Sequence, residues 1–263
     1  MDLTTIAGLL VALASLVTSV LLDNGSLLAL WKPSALVLIV GGTIGATLIG
    51  VRVSDLRKLP GIFLSAFHTT KEDPQEIIER LVSMSERARR EGLLALQDDV
   101  RSIDNSLMAR GLQLIVDGTD PEIVRTAMET QVEISEHKST EMAEVLSTAG
   151  GYSPTMGIIG TVMGLVQVLG HLGESDVSEL SKAIALAFLA TFYGIFLANI
   201  FWLPLASKVK QNVAYEALIG RMYIAGITGL QTGEGPRALR EKLEVYLSGM
   251  AKQAPSRGGG ESR

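Results

Sequence analysis

Residues 145–172 read VLSTAGGYSPTMGIIGTVMGLVQVLGHL, an unbroken run without one Asp, Glu, Lys or Arg. A helix needs about 20 apolar residues, at a rise of ~1.5 Å each, to cross the ~30 Å hydrocarbon core of a bilayer. This run is long enough, and residues 183–207 form a second one, again without a formal charge. Burying both as a helical hairpin inside a water-soluble protein would demand a very large core, so membrane insertion is the better reading.

The N-terminal part repeats the pattern. Residues 3–22 carry no charge and end at Asp23, Asn24 and Gly25. The start, Met1-Asp2-Leu3, lacks the basic residues of a signal peptide, and no small-residue cleavage site follows, so the run reads as a retained helix. Trp31, Lys32 and Pro33 connect it to a glycine-rich run at 34–51, with Gly41, Gly42, Gly45 and Gly50. Glycines of this kind suit close packing on neighbouring helices. The whole chain has 263 residues, 47% hydrophobic and only 19% charged, against about 25% charge in ordinary soluble domains. The fold class expected is an all-α integral membrane protein with four transmembrane helices and a helical cytoplasmic domain.

Basic residues set the orientation. Arg52, Arg57 and Lys58 follow the second run, and Lys208 and Lys210 follow the fourth. The connection between the third and fourth carries Glu174, Asp176 and Glu179 against Lys182 alone. Positive charge stays inside, so the 52–144 segment, the C-terminus and, by parity, the N-terminus are expected in the cytoplasm. The organisation expected is transmembrane helices 1 and 2 at 1–51, a cytoplasmic helical domain at 52–144, and transmembrane helices 3 and 4 at 145–207. Cytoplasmic helices at 208–250 and a disordered tail at 251–263 complete it.

The cytoplasmic segment has local signals of its own. Asp73-Pro74 pairs a capping carboxylate with a proline at the first helical position. Ile77, Ile78, Leu81, Val82 and Ser85 then recur on one helix face. Asp117-Gly118 ends the next helix and Asp120-Pro121 begins another, whose later part can run on into the third span. Further helices are expected from about 209 to 230 and after Pro236.

Enzyme chemistry finds no support. There are no cysteines, and the three histidines, His68, His137 and His171, lie far apart without metal-ligand spacing. Net charge is −5, which argues against a nucleic-acid partner. No cofactor is implied. The third and fourth runs, however, hold Pro154 and Pro204, which interrupt a helical ladder, and Thr161 and Thr191, which offer hydroxyl oxygens. Each hydroxyl can equally bond back to its own helix. An ion path through a bilayer needs an ionisable group at depth, and none of the four runs contains a carboxylate, lysine or arginine. A conducting path would take its carboxylate from another polypeptide.

At these residues the chain resembles the MotA/PomA family of flagellar stator subunits. Residues 149–167 (AGGYSPTMGIIGTVMGLVQ) carry the likeness most specifically, with 187–196 (AFLATFYGIF) and 87–96 (RARREGLLAL) in the same order. The resemblance covers essentially the whole chain. It implies a homo-oligomer of five copies in the bacterial inner membrane, around two copies of a MotB-type single-span subunit. That partner brings a membrane aspartate and a peptidoglycan-binding domain. Flow of H+ or Na+ past the aspartate turns the ring against the rotor protein FliG. By position, Pro154 and Pro204 match the prolines that couple ion passage to movement, and Thr161 and Thr191 match the channel-lining hydroxyls. Arg89 and Arg90 match the rotor-facing basic pair. Where family members commonly have a glutamate this chain has Gln97, followed by Asp98 and Asp99, either of which can serve instead. Thr161 resembles sodium-type members and Ala190 does not; protons are the favoured ion. The alternative is an ExbB/TolQ-type energiser, which would place its large cytoplasmic segment after a single span. A solute transporter would show an internal repeat between the span pairs, and none is evident.

Overall fold

The computed structural model describes residues 3–56, 59–67, 72–170 and 177–253. Every regular element among them is helical. The chain divides into two compact units, one from residues 1–69 and 140–210, the other from 70–139 and 211–263.

The first unit opens with α1 (Leu3–Leu22), a short 3-10 turn (Leu27–Leu30), α2 (Pro33–Ile49), and the short helices α3 (Val53–Leu56) and α4 (Leu59–Ser65). α1 leaves apolar side chains such as Leu10, Val11, Leu21 and Leu22 exposed. α2 buries Ala35, Ile39, Thr43 and Thr47, one residue per turn. Its opposite side, with Val37, Ile44, Leu48 and Ile49, is also apolar and faces outward. A helix apolar on every side is suited to lipid or to other apolar helices rather than to water.

Among the described residues three helices are long and apolar enough to cross a membrane: α1, α8 (Pro121–Gly170) and the stretch from Ala183 to Gln231. That last stretch is made by α9 (Val177–Phe196), a π-helical segment (Leu197–Trp202) and α10 (Leu203–Gln231). The expected second span at 34–51 is a helix of 17 residues, shorter than the other three. It stops where Gly50 and Val51 donate back to Thr47 and Leu48 in tight i→i+3 bonds. α8 is one helix of 50 residues, so the 120s segment and the third apolar run belong to the same helix.

The second unit is built on α5 (Pro74–Glu91), α6 (Gln97–Val100), α7 (Ser106–Val116), the ends of α8 and α10 within it, and α11 (Pro236–Gln253). Asp73 caps α5 as the sequence suggests, accepting from Gln75 N–H at 2.9 Å. Asn105 caps α7 by accepting from Leu107 and Met108. Gly118, at φ +76, closes α7, where Thr119 N–H reaches back to Leu114 O at 3.0 Å. That left-handed position favours glycine. The core joins Ile78, Leu81 and Leu96 to Leu112, Ile115, Met128, Met222, Ile227, Leu239 and Leu243. Ser85, the polar member of the buried α5 face, donates to Glu234 O at 2.8 Å. α11 reaches Gln253, three residues into the tail expected to be disordered; 254–263 lie outside the described residues, as do His68, His171, Arg57, Lys58, Glu174 and Asp176.

Gly226 sits against the fully buried Leu81, and a Cβ there would fall 2.4 Å from Leu81 Cδ1. Gly226→Ala is expected to lower the stability of the full chain in detergent by about 1–3 kcal/mol, and Leu81→Ala by about 2–5 kcal/mol. A thermal melt checks both.

Candidate ion path and rotor face

The apolar halves of α8 and α9 meet along small residues. A Cβ on Gly157 would lie 3.0 Å from Ala190 O and 3.1 Å from Thr191 Cα. One on Gly194 would lie 2.6 Å from Ser153 O. Gly160 and Gly164 meet the methyl groups of Ala190 and Ala187 in the same way. The two backbones therefore touch, as small residues spaced four apart allow in membrane helices. Ser153, fully buried, donates across the seam to Gly194 O at 2.9 Å.

This contact brings the two predicted threonines together. The hydroxyls of Thr161 and Thr191 are in direct hydrogen-bond contact. Thr161 Oγ1 also lies 3.1 Å from Gly157 O on its own helix and 2.9 Å from Ala187 O on α9. Thr191 Oγ1 lies 3.5 Å from Gly157 O. A hydroxyl has one hydrogen, so Thr161 can serve only one of these acceptors at a time. Bonding back to its own helix and bonding across the seam are thus alternative states of the same hydroxyl. Both residues are half-buried.

Pro154 lies inside α8, one residue after Ser153. It has no N–H for Gly150 O, the carbonyl four residues earlier. Gly150 in turn gives room to Leu203 and Trp202, since a Cβ there would fall 2.6 Å from Leu203 Cδ2. Pro204 lies two residues after the end of the π segment, beyond Leu203. It likewise has no N–H to offer Ile200 O, and the helix widens over the residues just before it. Within this stretch the Asn199 side-chain amide donates to Ile195 O at 2.9 Å. π segments recur at functional sites. The sequence located both prolines but did not reveal the π segment, for which Asn199 ahead of Pro204 was the available signal. Trp202 Nε1 and Thr43 Oγ1 are enclosed without a hydrogen-bond partner, an arrangement that costs ~1–3 kcal/mol each.

The second candidate surface lies in the other unit. Arg89 and Arg90 are exposed in the last turn of α5, and the Arg89 guanidinium rests against Gly235. Gly92, at φ +86, breaks the helix. The 3-10 turn Leu93–Leu96 then buries Leu96 and leads into Gln97 and Asp98, both exposed. Asp99 is placed differently: it is only partly exposed and forms an ion pair with Arg87. Of the two acids that could stand in for a glutamate at Gln97, Asp98 is the outward one. The Arg87–Asp99 pair was not foreseen. His137 is exposed on α8. Among the described residues no three His, Asp or Glu side chains converge as metal ligands would.

In the same unit, burial and the neighbouring Glu72 push the Tyr223 phenol above its ordinary range. Burial, with Asp73 and Glu72, raises Tyr215 as well. Both phenols therefore stay neutral at physiological pH.

Fold and seam define an all-helical protein whose long apolar helices suit a membrane. The sequence profile of the MotA/TolQ/ExbB proton channel family matches residues 99–222, and that of the Motility protein A N-terminal region matches 6–92. Motility protein A of Bacillus subtilis is 36% identical over 94% of this chain and 91% of its own length. Chemotaxis protein PomA of Vibrio alginolyticus is 31% identical over 94% and 96%. Among solved structures, C. jejuni MotAB aligns with a TM-score of 0.90 at 28% identity, covering 97% of this chain and 100% of that one. The flagellar MotAB stator complex from Bacillus subtilis aligns at 0.87 and 33% identity, covering 96% and 100%. The chain belongs to the MotA/PomA family of flagellar stator subunits. The N-terminal match also favours this reading over an ExbB/TolQ-type energiser.

Gly194→Ala places a methyl group against the Ser153 carbonyl, where only backbone can give way. The variant is expected to reach the membrane in reduced amount, and to support no more than about a tenth of native swimming where it does, because overpacking of about 1–3 kcal/mol must open the seam. Quantitative immunoblotting of membranes beside a swimming assay measures both.

Proposed function

We propose that this subunit forms one wall of an ion path in the bacterial inner membrane and converts passage of the ion into torque on the flagellar rotor. The observation that carries this reading is the Thr161–Thr191 contact, set in helices whose apolar cores hold no carboxylate, lysine or arginine. The wall has oxygens but no titrating group, so the carboxylate comes from a MotB-type single-span partner. α2, with apolar residues on both sides, is the second of four spans; its 17 residues meet the minimum for a bilayer. Both termini and the second unit are cytoplasmic. Five copies surround the partner, and the outward apolar faces of α1 and α2 contact lipid and neighbouring copies.

Protons are the favoured ion. Two hydroxyls bonded to each other can relay a proton, one oxygen accepting a proton as the other releases its own, after which both O–H bonds turn to reset the pair. A dehydrated sodium ion would need the same oxygens turned away from one another. Each passage moves the seam, and the ladder interruptions at Pro154 and Pro204 let α8 and the π segment bend in response. The rotor contact is made by Arg89, Arg90 and Asp98 with the rotor protein FliG. Rim charges of this kind steer and align partners, while Asp99 holds Arg87 in place.

In a host lacking its own stator, Pro154→Ala is expected to leave membrane level and partner co-purification within about twofold of native and to abolish swimming; normal swimming would remove Pro154 from the coupling. Reversing Arg89 and Arg90 to Glu is expected to cut swimming speed severalfold, with partial recovery on a compensating charge change in the rotor. Undiminished torque from tethered cells would reject the contact.

A further inference from the structure

We propose that Tyr193 is a positioning residue of the ion path, setting the rotation of α9 that holds Thr191 against Thr161. This rests on the reading that the two threonines line that path.

Tyr193 is 7% exposed and packs among Ala35, Ile39 and Ala190. Its hydroxyl reaches the non-helical backbone just ahead of α2. It accepts from Lys32 N–H at 3.1 Å and donates to Leu30 O. Both backbone groups flank Trp31, which is extended, and neither belongs to a helical ladder there. One hydroxyl therefore serves both a backbone donor and a backbone acceptor.

The placement of this bond pair on α9 matters more than its strength. At ~100° per residue, Thr191 and Tyr193 project about 200° apart, on opposite sides of the helix. Thr191 meets α8 and Tyr193 meets the α2 entry. On the α2-facing side of α9 the buried residues packed around Tyr193, namely Ala35, Ile39 and Ala190, are apolar, and apolar packing is non-directional. The two hydrogen bonds of Tyr193 are directional, and the hydroxyl lies at the end of a long rigid side chain. A small rotation of α9 carries it out of bonding range. The same rotation would draw the Thr191 hydroxyl off Thr161 and Ala190 off Gly160. Phenylalanine keeps the ring and its packing but neither bond.

The test uses the full chain with its partner in a host lacking other stators. Motor speed is measured against external pH and against sodium concentration for native, Tyr193→Phe, Thr191→Val and the double variant. Membrane level and partner co-purification are recorded for each. Tyr193→Phe is expected to assemble and to shift the ion midpoint about threefold or more, the size of one lost hydrogen bond, in the same direction as Thr191→Val. The double variant is expected to match Thr191→Val alone, since a residue acting through another is not additive with it. A native midpoint for Tyr193→Phe beside a shifted one for Thr191→Val overturns the role of Tyr193, as do shifts that add. Speed falling only in proportion to membrane level, at a native midpoint, assigns Tyr193 to folding and also overturns it. A native midpoint for Thr191→Val instead overturns the ion-path reading, and the Tyr193 role with it.

Discussion

Near-contact of two helix backbones governs this molecule. Gly157 and Gly194 leave no room for a Cβ between α8 and α9, and only at that separation can the short side chains of Thr161 and Thr191 touch. In water such a seam would be driven by burial of apolar surface. In lipid that drive is absent, and close van der Waals packing with hydrogen bonds across the seam takes its place. Ser153 to Gly194 O is one such bond and the threonine pair another. The close packing of the seam and its hydroxyl contacts thus come from the same few residues.

Both prolines act at the edges of this seam. Pro154 immediately follows Ser153, so the carbonyl it deprives of a donor lies one turn before the tightest contact. Pro204 follows the π segment, where the ladder has changed its spacing. A helix whose bonds are all made resists bending. Here α8 carries one interruption and the stretch after α9 carries the other, and each bends there first. Tyr193 adds a tie on the other side of α9, from a different pair of backbone groups.

The second unit follows the rules of a water-soluble domain. Its helices are capped by Asp73 and Asn105. Its core is continuous, and its ion pairs, Arg221–Glu136 and Lys242–Glu234, lie at the surface. Pairs like these contribute little to stability individually. The Arg87–Asp99 pair matters instead for tying up Asp99, while Arg89, Arg90, Glu91 and Asp98 stay exposed around the Gly92 turn.

Uncharged runs of membrane length, the caps of α5 and α8, and the two prolines were legible in the sequence because each depends on neighbours within a few residues. So was the buried face of α5, where polar and apolar positions alternate at helical spacing. The faces of α2 and α9 were not. Helices that are apolar on every side carry no periodic signal to say which side meets which partner, so Thr161 with Thr191, and Tyr193 with Leu30 and Lys32, could not be paired from spacing. The choice of Asp98 over Asp99 as the outward acid was equally hidden, since it turns on where Arg87 lies in space. Only the packed helices fixed their own rotation, and with it the residues that meet.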